Sequence, residues 1–196
     1  MTNTHMMVDI ETLGTGYDAA IVQIGAVLFD PFGVGHTGSR RWNVLLDSAM
    51  EYGAVDASTL LWWFEQEESA RKSVFFANRA SLGFVLDALS SFWRRSGAVG
   101  LWANGATFDP VILATAYRKT GVHLPWGHRE VRDMRTLMWM APEAARWGYY
   151  RWDEENPDAI RHDALHDALR QASVVQDCLR AIGLTPGATA DYTSTA

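Results

Sequence analysis

Cysteine is almost missing from this chain: Cys178 is the one copy in 196 residues. A single cysteine excludes an intramolecular disulfide and leaves the fold to noncovalent packing. Its position on an apolar helical stripe reads as a small buried hydrophobe, not a nucleophile. An excess of positive charge is missing too. Seventeen Lys and Arg face 23 Asp and Glu, for a formal charge of −6. Proteins that grip nucleic acid through phosphate contacts alone are usually basic. Any such partner here therefore needs another way to hold phosphate, and metal ions bound by acidic clusters would supply one. No apolar run is long enough to span a membrane, and the opening MTNTHMM lacks the basic-then-apolar pattern of a signal peptide. These absences predict a cytoplasmic protein with no membrane partner.

What remains is an ordinary globular composition, 48% hydrophobic and 20% charged, which excludes a disordered chain. The length predicts one domain over 1–184, followed by a flexible small-residue tail over 185–196. Apolar, β-branched runs at 5–11, 19–30 and 40–46, separated by turn residues, predict three strands in an antiparallel meander. The period then becomes helical. Asp56 is placed to cap a helix running through ASTLLWWFEQEE, and 81–95 carries an apolar stripe. A short strand is expected at 98–103 and a helix from Asp109-Pro110 to Gly121. A strand turning into a helix is expected over 131–141, a loop or irregular segment over 145–160, and a last helix from Asp163 to Ile182. The class is α/β, a mixed sheet flanked by helices.

Four acidic positions could meet in such a fold. Asp9 and Glu11 lie two apart on the first strand, so both point to one face while Val8 and Ile10 point to the other. Two adjacent carboxylates repel, and a hard divalent cation relieves that. The same pair also fits a wet strand end. Asp109 follows the central strand and reads equally as a helix N-cap. The third place is RHDALHDALRQA (161–172), which states His-Asp-Ala-Leu twice. At about 100° per residue, Asp167 falls on the border of the last helix's apolar stripe, while Asp163 and His166 fall on its polar face. Asp163 then reads as a cap and His166 as a surface histidine. His162 precedes the helix, where it can swing in as a proton acceptor. The working pair within the echo is His162 and Asp167.

Asp9-x-Glu11, Asp109, then His162 with Asp167 resembles the DEDDh 3′–5′ exonucleases, which have an RNase H-like (DnaQ-like) fold. VDIETLGTGYDAAIVQIGAVLFD, DASTLLWWFEQ, LWANGATFDPVIL and RDMRTL are similar to its small stand-alone phage and bacterial branch, over about residues 6–184. That branch includes the phage exonuclease A type and a mycobacterial-type exoribonuclease. The resemblance implies a five-stranded mixed sheet. It implies that Asp9, Glu11, Asp109 and Asp167 hold two Mg²⁺ or Mn²⁺ ions and that His162 is the general base. It also implies that Thr12 and Leu13 lie against the terminal nucleotide. The activity implied is hydrolysis of RNA or DNA from a 3′ end, releasing nucleoside 5′-monophosphates; a homodimer is compatible with it. Asp163 departs from the neutral residue common there. Trp62, Trp63 and Trp102 are expected to pack. Arg132, Asp133, Arg135 and Thr136 are expected to support structure or contact phosphate, and Arg94, Arg95, Arg118, Lys119, Arg129 and Arg161 to guide the strand. Intact catalytic positions favour an enzyme over a nucleic-acid-binding module that has lost turnover.

Overall fold

The computed structural model describes residues 4–184, so the tail expected over 185–196 lies outside the described residues. Six strands form one mixed sheet in the order β4-β3-β2-β1-β5-β6. The expected meander is present: β1 (His5–Thr12), β2 (Ile21–Phe29) and β3 (Gly38–Val44) pair antiparallel in sequence order. β5 (Leu101–Ala103) runs parallel to β1, and β6 (Val131–Asp133) parallel to β5. The strand beyond the expected five is β4, the two residues Arg79–Ala80 beside Asn43 and Val44. Two residues are too few to carry a period.

Alternation along β1 builds two cores. Met6, Val8 and Ile10 face one side, packed with Ile24, Leu86, Leu89, Ile112 and Leu113 beneath α4 (Leu82–Ser96) and α5 (Asp109–Thr120). Met7 faces the other side with Val27, Phe29, Met134, Val175 and Cys178. Cys178 is fully buried, as its stripe predicts, and burial pushes its thiol up to about 11. The second core is roofed by α6 (Met134–Met140), α7 (Pro142–Glu155) and α8 (Ala164–Ala181). Asp9 and Glu11 share Met7's parity, so their carboxylates rise into this second layer.

Several helices escaped the sequence patterns. α1 (Leu46–Tyr52) and α3 (Glu68–Phe76) flank α2 (Ala57–Glu65), and the strand expected over 40–46 ends at Val44. The segment 145–160, expected to be irregular, is largely the regular helix α7. Its buried face is Ala141, Ala145 and Gly148, at helical spacing, while Trp147 and Tyr150 point outward. Small residues carry the buried stripe and large aromatics the exposed one, which inverts the hydrophobic signal. Among the described residues no helix is long and apolar enough to cross a membrane.

Candidate active site

α8 lies directly on the sheet because β2 has a glycine where the helix begins. A Cβ on Gly25 would stand 2.0 Å from the Ala164 carbonyl oxygen. Gly25 is also the cross-strand partner of Asp9. The first turn of α8 therefore rests beside Asp9 and Glu11, and Asp167 comes down onto the acidic face of β1.

Asp109 arrives from the other neighbour. β5 pairs with β1 only at Met6 and Met7, so the Ile10 amide beyond them lacks a strand partner. Asp109 Oδ1 accepts that N–H at 3.1 Å. Its carboxylate is thereby tied to β1 one residue from both Asp9 and Glu11. The N-cap expected of Asp109 falls instead to Phe108, with Asp109 as the first helical residue. Asp56 does precede α2 but makes no side-chain cap; its carboxylate accepts from the Thr15 amide at 2.9 Å.

The result is a cleft of about 290 Å³ lined by Asp9, Glu11, Asp109, His162 and Asp167, with Arg135, Arg170 and Gln171 on its walls. Ligand atoms of Glu11, His162 and Asp167 lie within 4.8 Å of one another; Asp9 and Asp109 line the same cleft outside that trio. Burial pushes the Asp109 carboxyl up to about 7. Burial also raises Asp9 and Glu11 well above the usual carboxylate range, reinforced for Asp9 by Asp109 and Glu11 and for Glu11 by Asp167 and Asp163. Asp167 is raised by burial against the opposing pull of His162. Four carboxyls that resist ionisation together, all offering oxygen, fit a hard divalent cation. Gln171 braces this set from behind. Its Nε2 donates to Asp9 Oδ1 at 2.6 Å while its Oε1 is buried without a partner. Gln171 lies one turn after Asp167 on the same helical face, and that spacing is the one sign of it in the sequence.

His162 is the one non-glycine residue with positive φ among those described, at 59°. Such backbone costs about 1–3 kcal/mol and persists where the surroundings hold it. Its own N–H donates to Asp167 Oδ2 at 3.1 Å, so the first histidine and second aspartate of the echo are tied together. Its ring meets Trp62 edge to face, 4.8 Å between centroids. Trp62 thus borders the site instead of only packing, whereas Trp63 and Trp102 are buried. Trp63 Nε1 donates to the Thr12 carbonyl at 2.9 Å and Trp102 Nε1 to His5 Nδ1, also at 2.9 Å.

Asp163 and His166 correct the wheel. Asp163 does cap α8, accepting from the Leu165 and His166 amides. It is 0% exposed, though, not on a polar face. Its carboxylate accepts from Arg41 Nη1 at 2.6 Å and from the Ser73 hydroxyl. His166 is half-buried, and its Nδ1 accepts the Ile160 N–H at 2.8 Å. The wheel misplaced both because α8 is covered on two sides, by the sheet and by α7, and its buried face includes Gln171, Val174 and Cys178.

The side chains of Thr12 and Leu13 are buried at the end of β1, and neither lines the cleft. Leu13 instead borders a larger apolar groove of about 950 Å³ between α1, α2 and α3. Of the RDMRT piece, Asp133 caps α6, accepting from the Arg135 and Thr136 amides. Arg135 enters the cleft wall. None of the six scattered cations expected to guide a strand lines it.

Residues 4–179 match the family model of the 3′-5′ exoribonuclease Rv2179c-like domain. The chain is 24% identical over 223 residues to an exodeoxyribonuclease of Enterobacteria phage T4, covering 91% of this chain and 90% of that protein. Among solved structures it is similar to the nuclease domain of 3′hExo, a DEDDh family member bound to rAMP. The TM-score there is 0.65 at 10% identity, over 94% of this chain and 95% of that one. It is also similar to product-bound exonuclease I, with a TM-score of 0.60 at 13% identity, over 92% of this chain and 44% of that one. These likenesses carry the fold, an RNase H-like mixed sheet between helices.

Proposed function

The chain belongs to the 3′-5′ exoribonuclease Rv2179c-like domain family, and from that premise we propose that this 3′-5′ exonuclease removes nucleoside 5′-monophosphates from the 3′ end of RNA. The observation that carries the residue assignment is the meeting of Glu11, His162 and Asp167, with Asp9 and Asp109 in one cleft, from β1, α5 and the start of α8.

In this reading Asp9, Glu11, Asp109 and Asp167 hold two divalent ions, Mg²⁺ or Mn²⁺. When bound, such ions neutralise the scissile phosphate and make water a better nucleophile near neutral pH. His162 takes the proton from the attacking water. Its ring is steadied by Trp62 and its backbone by Asp167. Gln171 keeps Asp9 turned toward the cleft. Arg135 and Arg170 supply the positive charge that the chain as a whole lacks. Thr12 and Leu13 follow Glu11 directly and lie beside the terminal nucleotide in this reading, with both side chains buried. The domain works in the cytoplasm as one catalytic unit.

The test is incubation with 3′-tailed RNA and DNA of one sequence, in Mn²⁺, Mg²⁺ or EDTA. Stepwise shortening of RNA from its 3′ end is expected, halted by EDTA and by Asp9→Ala. Binding without shortening under either metal overturns the assignment. Faster shortening of DNA moves the substrate class to the one named for the T4 relative.

A further inference from the structure

Arg135 lines the cleft and spends little of its guanidinium on the protein. Among the described residues its Nε donates to Asn104 Oδ1 at 3.3 Å, and neither terminal nitrogen has an acceptor or an ion-pair partner. Arg170, the other cation of the cleft, is partly engaged: its Nη2 lies 2.6 Å from Asp153 Oδ2 and its guanidinium sits 4.5 Å from the centre of the Tyr149 ring, while its Nε is buried without a partner. Among the described residues, the guanidinium of this cleft with both terminal nitrogens free of protein acceptors is therefore that of Arg135.

Four residues on, the same helix presents Trp139. Residues four apart on a helix share a face, with about 5–6 Å between Cβ atoms. Trp139 is 82% exposed, and among the described residues it belongs to no aromatic pair, unlike Trp62, Trp63, Trp93, Trp126 and Trp147. α6 starts at the cleft, where Asp133 caps it and Arg135 lines the wall, and ends at Met140. Its outer face thus offers a guanidinium at the mouth and a bare indole one turn beyond. A guanidinium pairs with phosphate and an indole stacks on any base, which is the chemistry that single-stranded nucleic acid requires.

We propose that this face of α6 is an upstream binding track for a single-stranded substrate. Arg135 holds a phosphate that short and long substrates share, and Trp139 stacks on a base at least two nucleotides upstream of the scissile bond, one that a dinucleotide lacks. The track rests on the exonuclease reading above and extends it, because it makes substrate length a determinant of binding. It also accounts for how a protein of charge −6 retains a polyanion beyond its metal-binding carboxylates.

The experiment compares a dinucleotide with an octanucleotide in steady-state kinetics with Mn²⁺. Trp139→Ala is expected to raise KM for the octanucleotide about tenfold more than for the dinucleotide, with kcat little altered, since stacking on one base carries about that factor. Trp139→Phe restores most of the loss. Arg135→Ala raises KM for both substrates and flattens the slope of log KM against log salt by about 0.7, the contribution of one phosphate contact on a single strand. Equal effects of Trp139→Ala on the two lengths, or none on either, overturn the track. So does a change from dimer to monomer on sedimentation of Trp139→Ala, which makes the indole a contact between copies. If the wild-type chain shortens neither substrate, the exonuclease reading fails first; if it does and the length dependence is missing, the track alone fails.

Discussion

Arg41 on β3 reaches past β2 to the carboxylate of Asp163, with 2.6 Å between Nη1 and Oδ2, and so pins the residue that follows the strained His162. Gln23 completes the anchor by accepting the Ala164 N–H at 2.7 Å and donating to Ser73. The start of α8 is thus tied by side chains to β2, β3 and α3. Removing Arg41 leaves a fully buried carboxylate with Ser73 and two backbone amides. Arg41→Met is expected to lower stability by about 1–3 kcal/mol. Asp163→Asn in the same background should cost less than the two single losses summed. Denaturant melts of the four proteins in a double-mutant cycle check this, and strict additivity would contradict the coupling.

The two histidines of the echo should separate activity from stability. His162→Ala is expected to lower kcat by about 10²–10⁴, the range for loss of a general base. His166→Ala removes an acceptor from the Ile160 amide, so it should cost about 1 kcal/mol of stability while leaving kcat within a few-fold. Kinetics and melting of both variants decide the matter, and similar losses of kcat would refute the assignment.

Gly25 predicts a steric lesion away from the chemistry. Gly25→Ala puts a methyl 2.0 Å from the Ala164 carbonyl oxygen, and neither backbone can give way cheaply. A loss of about 3 kcal/mol is expected, together with weaker Mn²⁺ binding because Asp167 moves off β1. Calorimetric titration with Mn²⁺ checks the second effect. Gly83→Ala, at a position with open space around its Cβ, is the control.

Metal-free protein should lose stability as pH rises. Asp9, Glu11, Asp109 and Asp167 are raised in the fold, so the folded state binds more protons than the unfolded one. Their contribution is complete below the ordinary carboxylate range and is lost as pH climbs through the folded values, which for Asp109 means about 7. In EDTA the melting temperature is expected to fall between pH 5 and pH 8. Saturating Mn²⁺ should reverse that slope, because the ion requires ionised ligands. A flat profile in EDTA would show that burial does not hold these carboxyls protonated in solution.

Gln171→Met keeps the volume of the side chain but removes the donor to Asp9 and the unpartnered Oε1 together. The expected outcome is a 10–100-fold loss of Mn²⁺ affinity, typical for partners behind a metal ligand. The metal-free melting temperature should move little, since a lost hydrogen bond is offset by relief of a buried orphan. Titration and melting together distinguish this from simple misfolding.

Much of the site was legible in the chain because its signals are local. Parity along β1 put Asp9 and Glu11 on one face, and the break between RHD and the apolar periodicity put His162 before a helix with Asp167 inside it. Distant partners were not legible. Nothing local marks Gly25 as the seat of α8 or Arg41 as the partner of Asp163, and the spacing of Gln171 from Asp167 does not say that it donates to Asp9. α7 was read as irregular because its buried residues are the small ones.

Sequence alone therefore determined the alternation of β1, the meander and the identities of the acidic and imidazole groups, since strand parity and helical period are properties of neighbouring residues. Tertiary structure alone decided that Asp163 is a buried anchor and His166 a half-buried acceptor. Helical phase supplies an angle, whereas burial depends on how many sides of the helix are covered. α8 is covered by β2 beneath it and α7 beside it, and no count along the chain contains that second layer.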